Sequence, residues 1–418
     1  MSLAKVSLLN AVAVTVRTLS ALVLNKILAV YVGPSGYALV GQLQSAVSIV
    51  ANIVGAALGT GVTKNTAEHF DDDQRQRAFW QTAMRLSLWS TMTLAILLVL
   101  FREGLSTWLL HRADFSDVIV WLVIALPFMS VNYLLLAILN GKKAVIPLTI
   151  SNIAASLIGL GLTGALSVMF ALHGALIAIA LVPALSLITS VYVLYREPWF
   201  KFRHLWGELD TIAVHQLAQF ALMALAGALC VPLSHMIIRD ILVARFGWTA
   251  AGHWQAVWKI SEVYLAFFTA TLSVYYLPRI AEIRLAKELA SEIVKITKAV
   301  LPFVAASALC IYWLRGELVG WLFTAEFSPM TELLPWQLAG DVLKIAAWIF
   351  SYVLIGRAMT TAFIATEIIF SVSFVLFGWF WTNQVGLQGI AIAHFCNYAS
   401  YLCTMFLLVK RELKKMTK

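Results

Sequence analysis

Charged side chains are scarce in this sequence. Asp, Glu, Lys and Arg make up only 12% of its 418 residues, whereas soluble proteins carry about 25%. Long hydrophilic connections are also missing, since no polar stretch exceeds about twenty residues. Apolar residues dominate instead: 61% of the chain is hydrophobic and the mean hydropathy is +0.85. The composition excludes a soluble globular protein and indicates a polytopic membrane protein.

The sequence also lacks the motifs of cofactor and metal sites. Its cysteines fall in apolar stretches without metal-ligand spacing, so neither disulfides nor zinc sites are expected. The histidines are scattered singly, and no G-x-x-x-x-G-K-[ST] loop is present to bind nucleotide phosphates. We therefore expect no cofactor and no resident metal. The four cysteines are Cys230, Cys310, Cys396 and Cys403.

Long apolar runs predict about twelve transmembrane helices, since a span needs about twenty apolar residues. The first run follows Lys5 and resembles a signal peptide, but Arg17 interrupts it and no cleavage site follows, so we interpret it as a retained helix. The predicted fold class is an all-α polytopic membrane protein. The predicted spans are 6–30, 38–62, 79–101, 118–140, 146–169, 175–195, 215–240, 253–277, 297–314, 333–355, 360–382 and 390–409.

The distribution of Lys and Arg orients these spans. With the amino terminus inside, twenty of the thirty cations lie in cytoplasmic segments and four lie in outer loops. This asymmetry predicts that both termini are cytoplasmic. Because the cations sit in short loops rather than on a soluble domain, the net charge of +9 does not indicate nucleic acid as a partner. The long basic linker 195–216 divides the spans into two six-helix lobes, 1–200 and 201–418.

The two halves share landmarks that suggest an internal duplication. Gly33 follows the first span, and Gly247 follows the seventh. A cation, an alanine and a glutamate recur at the ends of the second and eighth spans. The stretch 278–295 is predicted to be a separate cytoplasmic amphipathic segment.

Arg85 is close enough to the inner surface to snorkel. Apart from it, we count nine ionised residues inside the predicted spans, where each costs roughly 2.5–3.5 kcal/mol at the bilayer centre. Two oppositely charged pairs have i, i+3 spacing on one helix face: Lys259 with Glu262, and Asp341 with Lys344. Each pair can neutralise itself, so a structural role competes with a role in a polar cavity. Glu367 has the same two interpretations. The nine residues are Arg17, Lys26, Arg239, Asp240, Lys259, Glu262, Asp341, Lys344 and Glu367.

The spans of the first half contain cations and no acid. Arg17 lies near the middle of the first span, whereas Lys26 and Lys64 are close enough to a span end to snorkel. An unpaired arginine at this depth indicates a wet cavity and an anionic ligand. Trp254 and Trp258 flank the Lys259 face; interfacial belts account for most tryptophans, but these two could stack on sugar rings.

Five collinear stretches resemble the Wzx-type flippases, the O-antigen translocases and enterobacterial common antigen lipid flippases of the multidrug/oligosaccharidyl-lipid/polysaccharide exporter superfamily. The resemblance covers essentially the whole chain. The stretches are SLAK at the amino terminus, LAVYVGPSG after the first span, GTGVTK at the end of the second span, FTATLSVYYLPRIAE, and WQLAGDVLK in the tenth span.

The resemblance implies two six-helix lobes around a central cationic cavity and transport by alternating access. The implied substrate is an undecaprenyl-diphosphate-linked oligosaccharide of O-antigen type, moved from the cytoplasmic to the periplasmic leaflet of the bacterial inner membrane. The implied partners are this lipid-linked oligosaccharide, the membrane, and the polymerase and chain-length regulator of the same pathway. The candidate substrate-binding residues are Arg17, Lys26, Lys64, Arg239, Lys259, Glu262, Asp341, Lys344 and Glu367.

Two alternatives stay open. A cation-coupled drug exporter of the same superfamily often carries cationic substrates, so buried acids should dominate its cavity. A membrane enzyme acting on lipid-linked sugars would need an acidic metal or nucleotide-sugar site, and a polymerase would be expected to have a large periplasmic loop. The sequence has neither feature, which favours a transporter.

The charge distribution predicts that Trp206 and Lys415 face the cytoplasm. Single cysteines placed at these positions should resist a membrane-impermeant thiol reagent in intact spheroplasts and react after permeabilisation. Labelling of either position in intact spheroplasts would refute the orientation.

Overall fold

The protein is helical throughout the part of the chain that the structure describes. A computed structural model describes residues 3–416, with the side chains of 3–8, 10, 223, 226 and 274 excepted. Two π-helical turns, Asn52–Ala56 and Leu272–Tyr276, continue long α-helices. The α-helices are Leu3–Ala51, Ala57–Glu68, Asp73–Leu100, Arg102–Leu110, Ser116–Gly141, Val145–Tyr195, Thr211–Thr271, Leu277–Glu282, Ala286–Trp313, Arg315–Leu322, Leu334–Gly356, Thr360–Val385 and Gly389–Met416.

Backbone breaks divide the longest helical stretches. Eight stretches of the described chain are long and apolar enough to cross a membrane. Four of them are interrupted by a positive-φ residue: Gly33 at 69°, Ala171 at 48°, Gly247 at 81° and Gly386 at 71°. Each break starts a new span, because a left-handed residue cannot continue a right-handed helix. The eight stretches become twelve spans, which confirms the all-α polytopic fold class.

One predicted segment is different in the structure. The stretch 278–295 is not a separate amphipathic segment: Leu277–Glu282 completes the eighth span, and Ala286–Trp313 begins the ninth. Leu289, Ile293 and Ile296 are buried at 0%, 6% and 5% exposure. Their i, i+4, i+7 spacing forms one apolar face, which packs into the core and extends the ninth span beyond its apolar run.

The duplication suggested by the sequence extends to backbone detail. The helices Asp73–Leu100 and Ala286–Trp313 both have 28 residues. The turns after the fourth and tenth spans both have a positive-φ residue, Lys143 at 54° and Ala358 at 53°. Gly141 packs against Thr66 in the first half, and Gly356 packs against Ile280 in the second. Corresponding positions are therefore 213 to 215 residues apart.

Close packing groups the described chain into two units. The first comprises the chain through Val32 together with Leu39–Leu233, and the second comprises Gly33–Ala38 and the chain from Ser234 onward. This packing boundary falls within the seventh span, after the linker that suggested a division at 200/201. The division into two six-helix lobes, 1–200 and 201–418, stays a prediction.

Each unit is built around one central helix. In the first unit this is Ser116–Gly141, whose Ser130 hydroxyl donates to the carbonyl of Val54 at 2.9 Å, within the first π turn. In the second unit it is Leu334–Gly356. The most apolar window of each of these spans is 61% buried, more than in any other described span.

The linker between the sixth and seventh spans folds back onto the first unit. Its short 3-10 turn, Phe202–Leu205, buries His204 and Leu205. Desolvation, reinforced by Arg77, Arg203 and Lys201, lowers the pKa of His204. The neutral imidazole stacks edge-on against Phe200 at 6.5 Å. The basic linker is thus anchored by an uncharged histidine.

The duplicated glycines Gly174 and Gly389 should be intolerant of any side chain. A Cβ at either position would collide with a backbone carbonyl, that of Leu166 or Trp381, which cannot move aside. We expect Gly174→Ala and Gly389→Ala each to destabilise the protein by about 1–3 kcal/mol. Thermal unfolding of purified protein measures this. The matched controls Gly104→Ala and Gly316→Ala have open space around the new methyl group, and an equal loss in them would contradict the packing explanation.

Candidate functional site

A buried carboxylate organises a polar cluster in the second unit. Asp341 is 0% exposed. Its Oδ2 accepts hydrogen bonds from Ser261 Oγ at 2.6 Å and from Tyr264 Oη at 2.9 Å. Its Oδ1 lies 3.0 Å from His394 Nε2. Gln337, one turn earlier, donates to Ser261 Oγ at 3.3 Å. Two neighbouring helices, Thr211–Thr271 and Gly389–Met416, therefore supply the donors that a buried carboxylate requires.

Lys344 lies in a cage of aromatic rings. Its Nζ is 4.7 Å from the ring centre of Trp258, 5.0 Å from Trp348 and 5.4 Å from Tyr398. The side chain is 8% exposed. Ring faces attract a cation electrostatically, by about 2 kcal/mol or more where water is excluded. Aromatic rings, rather than a carboxylate in contact, stabilise this buried ammonium.

The two predicted ion pairs have different outcomes. Lys259 Nζ contacts Glu262 Oε2 at 2.8 Å, so the pairing predicted for the eighth span is confirmed. Asp341 and Lys344 make no ion pair within 4 Å, although both are described, so direct pairing was wrong. The reason is that each side chain has closer partners on the neighbouring helices. The two charges share a helix face but occupy separate environments.

Arg239 and Glu367 both have hydrogen-bond partners in the second unit. Arg239 is 2% exposed, and its Nε donates to Gln255 Oε1 at 3.1 Å. Its guanidinium lies 5.9 Å from the ring centre of Trp254. Glu367 accepts a hydrogen bond from Tyr401 Oη at 3.3 Å. Uncharged side chains are thus among the partners of both residues.

The tryptophans beside Lys259 are not free to stack on sugars in this structure. Trp254 and Trp258 are 0% and 6% exposed. They pack with His235, whose ring centre is 4.1 Å from that of Trp258. Trp258 also meets His394 edge-on at 5.5 Å. The sugar-stacking interpretation was wrong because these rings form the wall of the polar cluster.

The three candidate cations of the first unit have different environments. Arg17 is exposed and forms no ion pair with any described side chain. Lys26 is half-buried and has an interaction partner. Lys64 is exposed, and its Nζ lies 4.5 Å from the ring centre of Phe220. The cations that the sequence singled out therefore fall into a compact group in the second unit and three separate positions in the first.

The duplication shows that the fold does not require the polar cluster. Positions corresponding to Asp341 and Lys344 in the first unit hold Leu126 and Met129, both 0% exposed. The same correspondence pairs His394 with Ile179. Apolar packing is thus sufficient at these sites, and charge there must serve another purpose.

His394 and its neighbours were missed by the sequence analysis. His394 seemed to be one of several scattered histidines. The overlooked signal is its spacing: polar residues recur on one face of an apolar helix at His394, Asn397, Tyr398 and Tyr401. The partners Ser261 and Tyr264 had no comparable signal. Among the described residues no group of three or more His, Cys, Asp or Glu side chains could hold a metal ion.

The twelve spans define an all-α polytopic membrane protein. Solved structures share the fold: an inward-facing multidrug resistance MATE family transporter of the MOP superfamily aligns with a TM-score of 0.79 and 16% identity, over 97% of this chain and 95% of its own. The outward-facing form aligns with a TM-score of 0.69 and 16% identity, over 97% of this chain and 96% of its own. A MOP superfamily transporter from Pyrococcus furiosus aligns with a TM-score of 0.62 and 14% identity, over 97% of this chain and 96% of its own.

The particular family follows from sequence. The chain belongs to the polysaccharide biosynthesis protein family, whose model matches residues 3–284. It is 31% identical over 415 residues to the lipid III flippases of Escherichia coli and Shigella flexneri, covering 99% of this chain and 100% of each relative. The resemblance to Wzx-type flippases is confirmed, and the chain is a transporter rather than an enzyme.

We expect Tyr264 to stabilise the protein through its hydroxyl group, and Tyr398 to stabilise it through its aromatic ring. Tyr264→Phe removes one donor from the buried carboxylate of Asp341 and should cost about 1–3 kcal/mol. Tyr398→Phe keeps the ring beside Lys344 and should cost much less. Thermal unfolding of the two variants in the same detergent provides the comparison. Equal losses would contradict the assignment of Tyr264 as a donor to Asp341.

Proposed function

We propose that the protein is a flippase for an undecaprenyl-diphosphate-linked oligosaccharide, which it moves from the cytoplasmic to the periplasmic leaflet of a bacterial inner membrane by alternating access. The observation that carries this proposal is the full-length similarity to two proteins named lipid III flippases. We also propose that both termini are cytoplasmic, which the charge asymmetry of the loops supports.

The identity of the sugar repeat unit is a separate part of the proposal. An O-antigen repeat unit is one candidate. A lipid III-type substrate, the precursor of enterobacterial common antigen, is favoured by the names of the relatives. The two share the diphosphate and the polyprenyl chain and differ in the sugars. Under either substrate, the polymerase and chain-length regulator of the pathway are proposed partners.

The cationic side chains suit a diphosphate. Arg17, Lys26 and Lys64 are candidates in the first unit, with no acid in its predicted spans. Moving one charge through the membrane potential is worth about 2.3 kcal/mol per 100 mV, so a dianion leaving a negative cytoplasm gains at most ~4–5 kcal/mol per 100 mV. This driving force needs no ATP.

The other proposed substrate contacts are in the second unit. Arg239, Lys259 and Lys344 are cations at the level of the buried cluster, and Glu262, Asp341 and Glu367 set the charge around them. Lys259 is the most accessible of these cations, with a side chain 25% exposed. It is therefore the first cation of this unit that a phosphate could reach.

A drug exporter is the competing function, because the solved structures with this fold include multidrug transporters. Identities of 14–17% show a shared fold and not a shared substrate. Cations without acids in the first-half spans favour an anionic substrate.

Reconstituted protein tests the function directly. A fluorescent undecaprenyl-diphosphate oligosaccharide in proteoliposomes, with an impermeant quencher, should change leaflets in the presence of the protein. Complementation of flippase-deficient strains with lipid III and O-antigen pathways should then identify the sugar. Transport of a fluorescent cationic drug with no movement of the lipid would overturn the proposal.

Arg17 gives the sharpest single-residue test. Its planar guanidinium can bind phosphate oxygens bidentately, whereas lysine is a point charge. Arg17→Lys should retain partial flipping, Arg17→Ala should lose most of it, and Arg17→Glu should abolish it by repulsion. Flipping rates are normalised to the reconstituted protein. Wild-type flipping by Arg17→Ala would remove Arg17 from the substrate path.

A further inference from the structure

The linker between the sixth and seventh spans has cations that no acid pairs with. Arg196, Lys201 and Arg203 are exposed, and none of them forms an ion pair with a residue that the structure describes. The one acid between 196 and 207 is Glu197. Its Oε2 accepts a hydrogen bond from the indole of Trp199 at 2.8 Å, so it is directed to a ring and not to the cations. The cations are therefore open to an anion from outside the chain.

Large aromatic side chains are exposed in the same part of the chain. Phe202 and Trp206 are 37% and 61% exposed, and Tyr195, at the end of the sixth span, is 79% exposed. The guanidinium of Arg196 lies 4.5 Å from the ring centre of Tyr192, another exposed ring. Tryptophan and tyrosine favour the membrane interface, because their rings leave water while their polar atoms stay hydrated. Cations and rings together are typical of a surface in contact with lipid headgroups.

Packing within the first unit holds the linker at the level where the spans begin. The ring centres of Trp199 and Phe200 lie 6.2 and 6.3 Å from that of Trp80, at the start of the third predicted span. The amide of Asp210 donates to Thr82 Oγ1 at 3.2 Å. The start of the third span thus contacts both the middle and the end of the linker. The exposed side chains of the linker therefore lie near the headgroups of the membrane.

Packing also orders the linker before any ligand binds. Phe200 is 5% exposed, and its ring centre lies 5.2 Å from that of Phe202 in an edge-on contact. His204 and Leu205 are buried in the short turn of the linker. A surface that is already ordered loses little conformational freedom on binding.

We propose that this linker binds the phosphate of an anionic phospholipid in the leaflet against which it lies. Arg196, Lys201 and Arg203 contact the phosphate oxygens, and Phe202 and Trp206 lie among the glycerol groups and the first carbons of the acyl chains. Two of the three cations are arginines, whose planar fork binds phosphate oxygens bidentately. The proposed topology makes this the cytoplasmic leaflet. Lipid binding itself does not depend on the proposed flippase function.

Charge selects the headgroup. Phosphatidylglycerol has a net negative charge, whereas phosphatidylethanolamine has an ammonium that cancels its phosphate. Each cation near an anionic surface contributes about fivefold to binding. The diphosphate of the proposed substrate offers the same oxygens, but the lipids of the leaflet surround the linker at all times. A phospholipid is therefore the favoured ligand.

Native mass spectrometry of the full-length protein in detergent tests the lipid site. Phosphatidylglycerol and phosphatidylethanolamine are added at equal concentrations, and wild type should retain the anionic lipid preferentially. Replacement of all three cations, as Arg196→Gln with Lys201→Gln and Arg203→Gln, should weaken phosphatidylglycerol binding by about a hundredfold, since each cation contributes about fivefold.

Two matched variants separate this surface from the general charge of the protein. One exchanges arginine and lysine at the same three positions, which keeps the charge and should keep the preference for phosphatidylglycerol. The other removes three exposed cations elsewhere on the same predicted side and should also keep the preference. An equal loss in this second variant would show that net charge selects the lipid and would overturn the proposal. The second variant is Arg284→Gln with Lys287→Gln and Lys414→Gln.

Trp206 reports the position of the linker relative to the lipid. The chain has fifteen tryptophans, so its emission is obtained as the difference between wild type and Trp206→Phe. In nanodiscs, lipids brominated close to the glycerol should quench this difference signal. A Trp206 signal that the brominated lipids leave unchanged would overturn the placement at the membrane surface.

The results separate this proposal from the proposed function. Equal retention of both lipids by wild type, or unweakened phosphatidylglycerol binding in the triple glutamine variant, refutes the lipid site. Binding of undecaprenyl diphosphate through these cations, without binding of phosphatidylglycerol, overturns the phospholipid as the ligand and assigns the surface to the substrate. If phosphatidylglycerol binds and proteoliposomes flip no lipid-linked oligosaccharide, the flippase function fails and the lipid site stands.

Discussion

The cost of placing a carboxylate in an apolar interior shapes the second unit. Asp341 has no access to water, so protein groups must replace its hydration. A hydroxyl, a phenol and an imidazole from two other spans do so. These contacts fix the angular position of the central helix Leu334–Gly356 about its own axis. The lysine one turn later is consequently turned towards the aromatic rings.

The duplicated fold separates structural necessity from function. Both units share a helix of 28 residues, positive-φ turns and close helix contacts at glycine. One unit fills its centre with leucine and methionine, and the other fills the corresponding positions with aspartate and lysine. Buried polar groups rarely add net stability over apolar packing of the same volume. The cluster is therefore best understood as chemistry added to a scaffold that folds without it.

The two units also differ in the sign of the charged side chains within their spans. The first has cations without acids in its predicted spans, and the second has cations and acids held by hydrogen bonds and rings. An anionic head group suits the first arrangement, because cationic side chains form strong, charge-assisted hydrogen bonds with phosphate oxygens.

The sequence by itself determined the fold class, the number of spans and the internal duplication. These follow from hydropathy and from glycines, which are properties of local segments that need no knowledge of neighbours. It also identified the ion pair of Lys259 and Glu262, because residues three apart on a helix are adjacent in any tertiary structure.

Only the tertiary structure decided the partners of Asp341 and Lys344. Their spacing allowed a direct pair, but the side chains of three packed helices offered better contacts. His394 is 53 residues from Asp341 in the chain, and no local pattern brings them together. Burial of Trp254 and Trp258 likewise depended on which face of their helix meets the rest of the unit. Contacts between distant helices are set by packing, and packing is a property of the whole unit.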